Sequence, residues 1–345
     1  MAIRGLFTCL TALMMTIGPL TAAIIVDNTG ATESPWAYRA IFCSQFGFAG
    51  ICIIPAPFMP ESPVWLLSVG KVDKATQALR RLGYSGAKLD MQISQIQTTL
   101  DKAREEAAGA TYLDCFRRSN LRRTIISIMP LAIQALGGVY FVASYGTYYI
   151  QLAGYSTAAS FKLQIAQHGL SMAGNICSWF LVDRVGRRPL TFWGTFSVTV
   201  ILLVAAGLAT EGSPGSIKGS VALIVAYNFF YNISIGATAY TLLCEVATSR
   251  LRVKTISIGI ALQYTIYCVW AFVIPYMFNP DQANLGAKTA FLFGGLGVLC
   301  LVYLWFYQPE TAHRSYEELD ELFMKKVSVR QFASYKTDAE TKEVN

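Results

Sequence analysis

Charged residues are confined to a few short segments of this chain, and between them lie eight apolar runs: 6–26, 36–59, 125–150, 163–182, 190–209, 221–243, 255–278 and 289–307. Each is close to the roughly 20 residues that a helix needs to cross the hydrocarbon core of a bilayer. Arg39, near one end of the second run, is the only Asp, Glu, Lys or Arg inside any of them. Backbone amides buried in lipid must be satisfied within their own segment, so uncharged runs of this length predict spanning helices. The expected fold class is therefore an all-α, multi-pass membrane protein.

The long polar stretch between the second and third runs carries helix punctuation of its own. Ser62-Pro63 is a cap followed by proline at the first helical position, and 72–82 has apolar residues at helical spacing before Gly83. Leu89, Ile93, Ile96 and Leu100 recur every three or four residues ahead of the charged stretch 101–106 and Gly109. These predict amphipathic helices lying at the membrane surface. The chain then divides into two N-terminal spans (1–59), a helical loop (60–123), six spans with short connections (124–308) and a polar tail (309–345).

Composition agrees: 54% of the 345 residues are hydrophobic and 14% charged. The placement of basic residues adds an orientation, because Lys and Arg are retained on the cytoplasmic side. With both termini inside, the inner segments hold one basic residue before the first run, eleven in 60–123, three in 183–189, three in 245–254 and six after 308. The outer side holds only Arg39, Lys162, Lys218 and Lys288. The net charge of +7 thus follows from topology and attraction to anionic lipid, without nucleic acid as a partner. The run Arg117, Arg118, Arg122, Arg123 reads as charge flanking re-entry into the membrane. The eight cysteines avoid the outer loops and read as free thiols packed like small apolar residues, with no metal-ligating spacing. One alternative concerns the N-terminus: Arg4, an apolar run and the small pair Ala22-Ala23 also have the form of a signal peptide.

Four motifs lie at the inner ends of the spans. They are Pro60-Glu61-Ser62-Pro63-Val64-Trp65-Leu66, Asp183-Arg184-Val185-Gly186-Arg187-Arg188-Pro189, Glu245 followed by Arg250, Arg252 and Lys254, and Pro309-Glu310-Thr311. In this order the chain resembles the sugar-porter branch of the major facilitator superfamily, and within it the fungal maltose and α-glucoside permeases. The motifs match PESPxWL after helix 6, DRxGRRP between helices 8 and 9, the inner end of helix 10 and the PET closing helix 12. The resemblance implies an incomplete N-terminal half of two helices, lacking the first four, joined to a complete six-helix C-terminal half made of two inverted three-helix repeats. It also implies a latch at the cytoplasmic face in which Asp183, Arg184, Arg187, Arg188 and Arg252 work with Glu61, Glu245 and Glu310.

Polar residues inside hydrocarbon point to a partner or a cavity. Gln134, Gly138 and Tyr145 share one face of the third span; Asn232, Gly236 and Tyr240 form one stripe in the sixth; Gln263 and Tyr267 are a turn apart in the seventh, with Trp270 beyond. Amide and hydroxyl hydrogen bonds with aromatic walls suit a sugar. By resemblance the substrate-binding residues are Gln134, Gly138, Tyr145, Asn232, Tyr240, Gln263 and Tyr267, with Asn175, Asn228 and His168 as weaker candidates. The chain departs from the family's pattern at Ile133, Val139 and Ala237, where a second Gln, an Asn and a Pro are usual.

The functional expectation is carbohydrate transport by alternating access at the plasma membrane, with maltose or another α-glucoside as the small-molecule partner. The chain shows no nucleophile–base pair, phosphate loop or cofactor motif, so no enzyme is expected. Proton symport in such a family uses an acidic group in the first helix, so protons would couple only through helices that this chain lacks. The alternatives are a non-transporting sugar sensor, a degenerate paralogue, or a shortened gene product.

Overall fold

The computed structural model describes residues 2–30, 34–107, 109–279, 281–312, 314, 316–332, 334, 335 and 337, with the side chains of 2–13, Asp183 and a few others outside that description. All regular structure among the described residues is helical. Two helices open the chain, α1 (Ala2–Thr29) and α2 (Trp36–Ile53). Three follow in the loop, the short α3 (Pro63–Ser68) and α4 (Val72–Arg81) and the longer α5 (Ala87–Ala107). The bundle consists of α6 (Arg118–Leu136), α7 (Val139–Leu152), α8 (Thr157–Val185), α9 (Arg187–Glu211), α10 (Pro214–Ile233), α11 (Ile235–Val246), α12 (Arg252–Phe278) and α13 (Thr289–Tyr307). A tail helix, α14 (Tyr316–Met324), ends the helical part.

Local chemistry sets several of these boundaries. Ser62, Ser156 and Ser213 cap α3, α8 and α10 by accepting from the backbone amides of Trp65, Ala159 and Ser216, and Pro63 and Pro214 occupy first-turn positions whose missing N–H costs nothing. The predicted helices of the polar loop are present, but they do not lie separately on a surface. Ile93, Ile96 and Leu100 of α5 pack on Leu66, Leu67, Ala75 and Ala78, which gives α3, α4 and α5 a small core of their own.

Two expected spans are each broken in the middle. The third consists of α6 and α7, separated at Gly138, whose φ of +86° is left-handed. A Cβ there would come within 3.0 Å of the Phe293 side chain, so glycine is required both by the backbone and by the neighbour. The sixth consists of α10 and α11, separated at Ser234. If the six bundle spans are two three-helix repeats, the broken span opens each repeat. Amides and carbonyls freed by a break in hydrocarbon need new partners. Tyr227 OH donates to Gly137 O (2.7 Å) and Trp270 Nε1 to Ala135 O (3.2 Å), which supplies them on the α6 side.

The core lies among α7, α9, α10, α12 and α13, where Phe141, Phe293, Phe278 and Trp270 pack ring on ring with Leu202 and Tyr227. Helix α1 runs unbroken through Ala22 and Ala23 along α8, with Ala23 buried, so the small pair does not interrupt it. Helix α2 packs against α1 and has no buried residue. By length and composition, six stretches among the described residues suit a membrane crossing: Trp36–Phe58, Arg118–Leu152, Arg187–Glu211, Pro214–Val246, Arg252–Phe278 and Thr289–Tyr307. Of the other two expected spans, α8 has 29 residues but is made less apolar by Gln164, Gln167, His168, Ser171 and Asn175.

Candidate functional site

The break between α6 and α7 sets one end of a polar cluster inside the bundle. Gln134, on the last turn of α6, accepts a hydrogen bond at Oε1 from Gln263 Nε2 of α12. Gln263 Oε1 accepts from Tyr240 OH of α11 at 3.1 Å, and Tyr267 OH lies 3.5 Å from Gln263 Nε2. Tyr140 stacks on Tyr267 at 5.6 Å between centroids, and Tyr264 meets the same ring edge-on. Both glutamines are buried, whereas Tyr240 is 45% and Tyr264 62% exposed. The cluster is therefore a pair of amides floored in the bundle and open along the Tyr240–Tyr264 face. Every group in it is neutral, which is what a membrane interior tolerates, and each can exchange its present partner for a ligand hydroxyl.

Four of the seven expected substrate contacts meet here: Gln134, Tyr240, Gln263 and Tyr267. Tyr145 lies next to this group, close to Tyr140 and packed on the aromatic core. Gly138 does not line it, because its left-handed turn packs on Phe293 and Leu202. Asn232 is also elsewhere: its amide donates to Asn228 O at 2.8 Å, and its Cβ lies at the close approach of α10 to Gly174 of α8. Two of the weaker candidates are used locally, Asn175 accepting from Trp179 Nε1 and Asn228 donating to carbonyls of its own helix, and the third, His168, lies half-buried on α8. Three tyrosines carry no sequence motif that marks them: Tyr140 sits in the first turn after the break, Tyr264 meets Tyr267 edge-on, and Tyr231, stacked on Tyr227, adjoins Gln134 and Tyr267.

A second constellation occupies the end of the bundle that carries the basic connections. Gly186, with φ +97°, turns the chain from α8 into α9, and a Cβ on it would lie 2.7 Å from Glu310 Oε2. The Glu310 carboxylate accepts from the backbone amides of Arg187 (3.0 Å) and Arg188 (3.1 Å), the first two residues of α9, and from Thr311 and Ala312. It thus caps α9 from another part of the chain, where the helix dipole favours an anion. The Arg187 guanidinium pairs with Glu245 of α11 at 3.2 Å and donates to Val182 O, while Glu245 also accepts from Thr311 Oγ1 at 2.5 Å. Arg188 donates to Trp305 O (3.0 Å). Together these contacts tie α8, α9, α11 and α13 at one end.

Of the residues expected in a latch, the structure brings Arg187, Arg188, Glu245 and Glu310 together. Glu310 works mainly through backbone amides where an ion pair was expected. Neither Glu61 nor Arg184 forms an ion pair among the described residues; Glu61 is exposed beside Lys74 and Arg81 of α4. Arg252 begins α12 close to Arg123, and the side chain of Asp183 lies outside the described residues. Arg123 itself was read only as flanking charge. It is 8% exposed, donates to Val246 O, pairs with Asp320 of α14 and lies 4.8 Å from the Phe323 ring. The spacing of Leu319, Leu322 and Phe323 was the available signal for this docked tail, since it marks one buried helix face.

Comparison with known proteins gives three consistent results. The family model described as "Sugar (and other) transporter" matches residues 1–323. The general alpha-glucoside permease of Saccharomyces cerevisiae is 31% identical over 346 residues, covering 98% of this chain and 56% of the permease, and the maltose permease MAL31 of the same yeast is 32% identical with the same coverage. Among solved structures, the inward-open xylose transporter XylE from E. coli matches with a TM-score of 0.74 at 20% identity, over 93% of this chain and 66% of XylE. The proton:xylose symporter XylE bound to 6-bromo-6-deoxy-D-glucose matches with a TM-score of 0.72 at 22% identity, over 93% and 67%. The chain spans little more than half the length of the yeast permeases.

Proposed function

This chain belongs to the sugar (and other) transporter family, as a multi-pass membrane protein with the major facilitator fold, and on that premise we propose that it takes part in carbohydrate transport by alternating access. The observation that carries the reading is the Gln134–Gln263–Tyr240–Tyr267 group. It is a neutral, aromatic-edged set of donors and acceptors, placed at a helix break and open on one side. A sugar hydroxyl can both donate to Gln134 Oε1 and accept from Gln263 Nε2, so it can insert into the present amide–amide bond without leaving either group unpaired. The open Tyr240–Tyr264 face supports a half-site, completed by other transmembrane helices.

The substrate class that follows is an α-glucoside such as maltose, by likeness to the yeast permeases and by the supply of several hydrogen-bonding groups beside stacked rings. No carboxylate lies in the spans read from the sequence, so a proton gradient has no acidic group there to act through. The reading predicts that the purified full chain in nanodiscs binds maltose, and that other α-glucosides displace it. Absence of any saturable binding to the chain, with its helical circular dichroism intact, overturns it, while binding without uptake in vesicles assigns the chain to the non-transporting alternative.

The basic end is assigned to the cytoplasm, with both termini inside and the plasma membrane as location. The asymmetry of Lys and Arg supports this orientation. A glycosylation acceptor fused to the N-terminus should stay unmodified; its modification would reverse the topology.

A further inference from the structure

We propose that the basic end of the bundle holds a binding site for a phosphate-bearing anion, in the groove between the start of α6, the α11–α12 connection and the tail helix α14. Two cavities meet there, of about 720 and 250 Å³, sharing Ser119, Asn120 and Thr248 in their walls. The larger is lined by Arg118, Arg122, Arg123 and Lys326, and the smaller adds Arg117 and Arg250. Two carboxylates, Asp114 and Asp320, line them, and both are already engaged. Asp114 takes Arg117 at 2.9 Å and the Thr111 amide at 2.7 Å, and Asp320 takes Arg123. Arg250 shares Asp114 with Arg117, whereas Arg118 and Lys326 have no acidic partner among the described residues, and among those residues Arg122 donates to Val327 O.

Charge that merely flanks a membrane needs no cavity and no fixed geometry. Here the tail folds back to wall the groove, and Lys326 is placed in it by the left-handed C-cap that ends α14, closed by Lys326 N to Phe323 O and Val327 N to Leu322 O. Several guanidinium forks and an ammonium around neutral hydroxyl and amide donors form a set that recognises phosphate oxygens, bidentately at arginine. The ligand can be the headgroup of an anionic phospholipid or a soluble phosphate, and both share this chemistry. The site is independent of the sugar-binding reading, since none of its residues belongs to the amide–tyrosine cluster.

The test uses the full chain in phosphatidylcholine nanodiscs with and without phosphatidylserine. Tightly retained lipid is read by native mass spectrometry, and inorganic phosphate is titrated calorimetrically. The charge-reversed pair R118E/K326E should lose anion binding by at least about tenfold, because each basic side chain near a membrane surface is worth about 1 kcal/mol. R118Q/K326Q should lose less, and the equally charged control K88E/K102E on α5 should match wild type. Retention of phosphatidylserine that phosphate does not displace assigns the lipid headgroup; binding of phosphate in plain phosphatidylcholine assigns the soluble anion. Equal loss in K88E/K102E, or no binding of either probe by the folded wild type, overturns the proposal. Monodisperse elution and unchanged circular dichroism identify variants that remain folded.

Discussion

Helix α11 carries a residue of each polar constellation, Tyr240 in the amide–tyrosine cluster and Glu245 in the charged clasp, and the two are built on opposite principles. In the interior, hydrogen bonds are made by neutral amides and phenols, each with capacity to spare, because an unneutralised charge in hydrocarbon is expensive. At the basic end, formal charges are used and saturated: Glu310 takes four backbone amides, and Glu245 takes an arginine and a hydroxyl. On the proposed reading the difference separates two tasks: groups that exchange partners with a ligand are loosely committed, whereas groups that hold helix ends together are fully committed and would be released only as a set.

Breaking the clasp at its most saturated point should have the largest effect. Glu310→Ala strips the start of α9 of its cap and leaves the turn at Gly186 unsupported, with an expected loss of about 2 kcal/mol. That is read as a fall of several degrees in Tm in detergent, with Glu310→Gln intermediate; an unchanged Tm would falsify the capping role. A smaller effect sharpens the contrast by separating rate from affinity. Arg187→Glu or Glu245→Arg should slow sugar exchange about tenfold, equivalent to about 1.4 kcal/mol in a barrier, with sugar Kd unchanged and part of the rate regained in the double reversal. Gln263→Leu should do the converse, weakening Kd about fivefold by removing about 1 kcal/mol of hydrogen bonding to the sugar, with the rate of exchange at saturating sugar unchanged. If both classes of variant alter Kd alone, the division of labour is wrong.

The smallest effect concerns pH at the groove beside the start of α6, outside both constellations. The backbone amide of Thr111, and then its side chain and Arg117, hold the Asp114 carboxyl below its usual range. A depressed folded-state pKa means that the contribution is present above the unfolded value of about 3.9 and disappears as pH falls through the lower, folded one. The turn at Leu113–Phe116 should therefore loosen only on strong acidification, seen as faster amide exchange there, and Asp114→Asn should show the same looseness at neutral pH.

Much of this was legible along the chain. Uncharged runs of bilayer length located the spans, and the motifs at their inner ends placed Arg187, Glu245 and Glu310 near one another. What was not legible has physical causes. The break at Ser234 is marked only by Gly236, whose Cβ would meet Tyr231 O at 2.9 Å, and at both breaks a glycine within an apolar run reads equally as a packing residue. Both breaks depend on partners far along the chain, Phe293 and Tyr227 in the case of α6–α7 and the close approach of Gly194 to Ser234 in the case of α10–α11. Helical stripe counting put Gly138 and Asn232 with the sugar contacts, because it assumed unbroken helices and cannot tell which neighbour a face meets. The docked tail was missed because Asp320 and Arg123 are nearly 200 residues apart and each, alone, resembles ordinary surface charge.

The hydrogen bond from Tyr227 to the carbonyl of Gly137 also has a consequence in time. Its donor follows its acceptor by 90 residues. At the usual synthesis rate of 5–20 residues per second, the first break waits roughly 5 to 20 s in the membrane before that donor is made. During this interval the nascent third span has a kink whose carbonyl must be served by water, by lipid headgroups or by the insertion machinery. A chain stalled between α7 and α10 is thus exposed at this point to misinsertion and quality control, and the ribosome's pace through α8 and α9 becomes part of how the bundle is made.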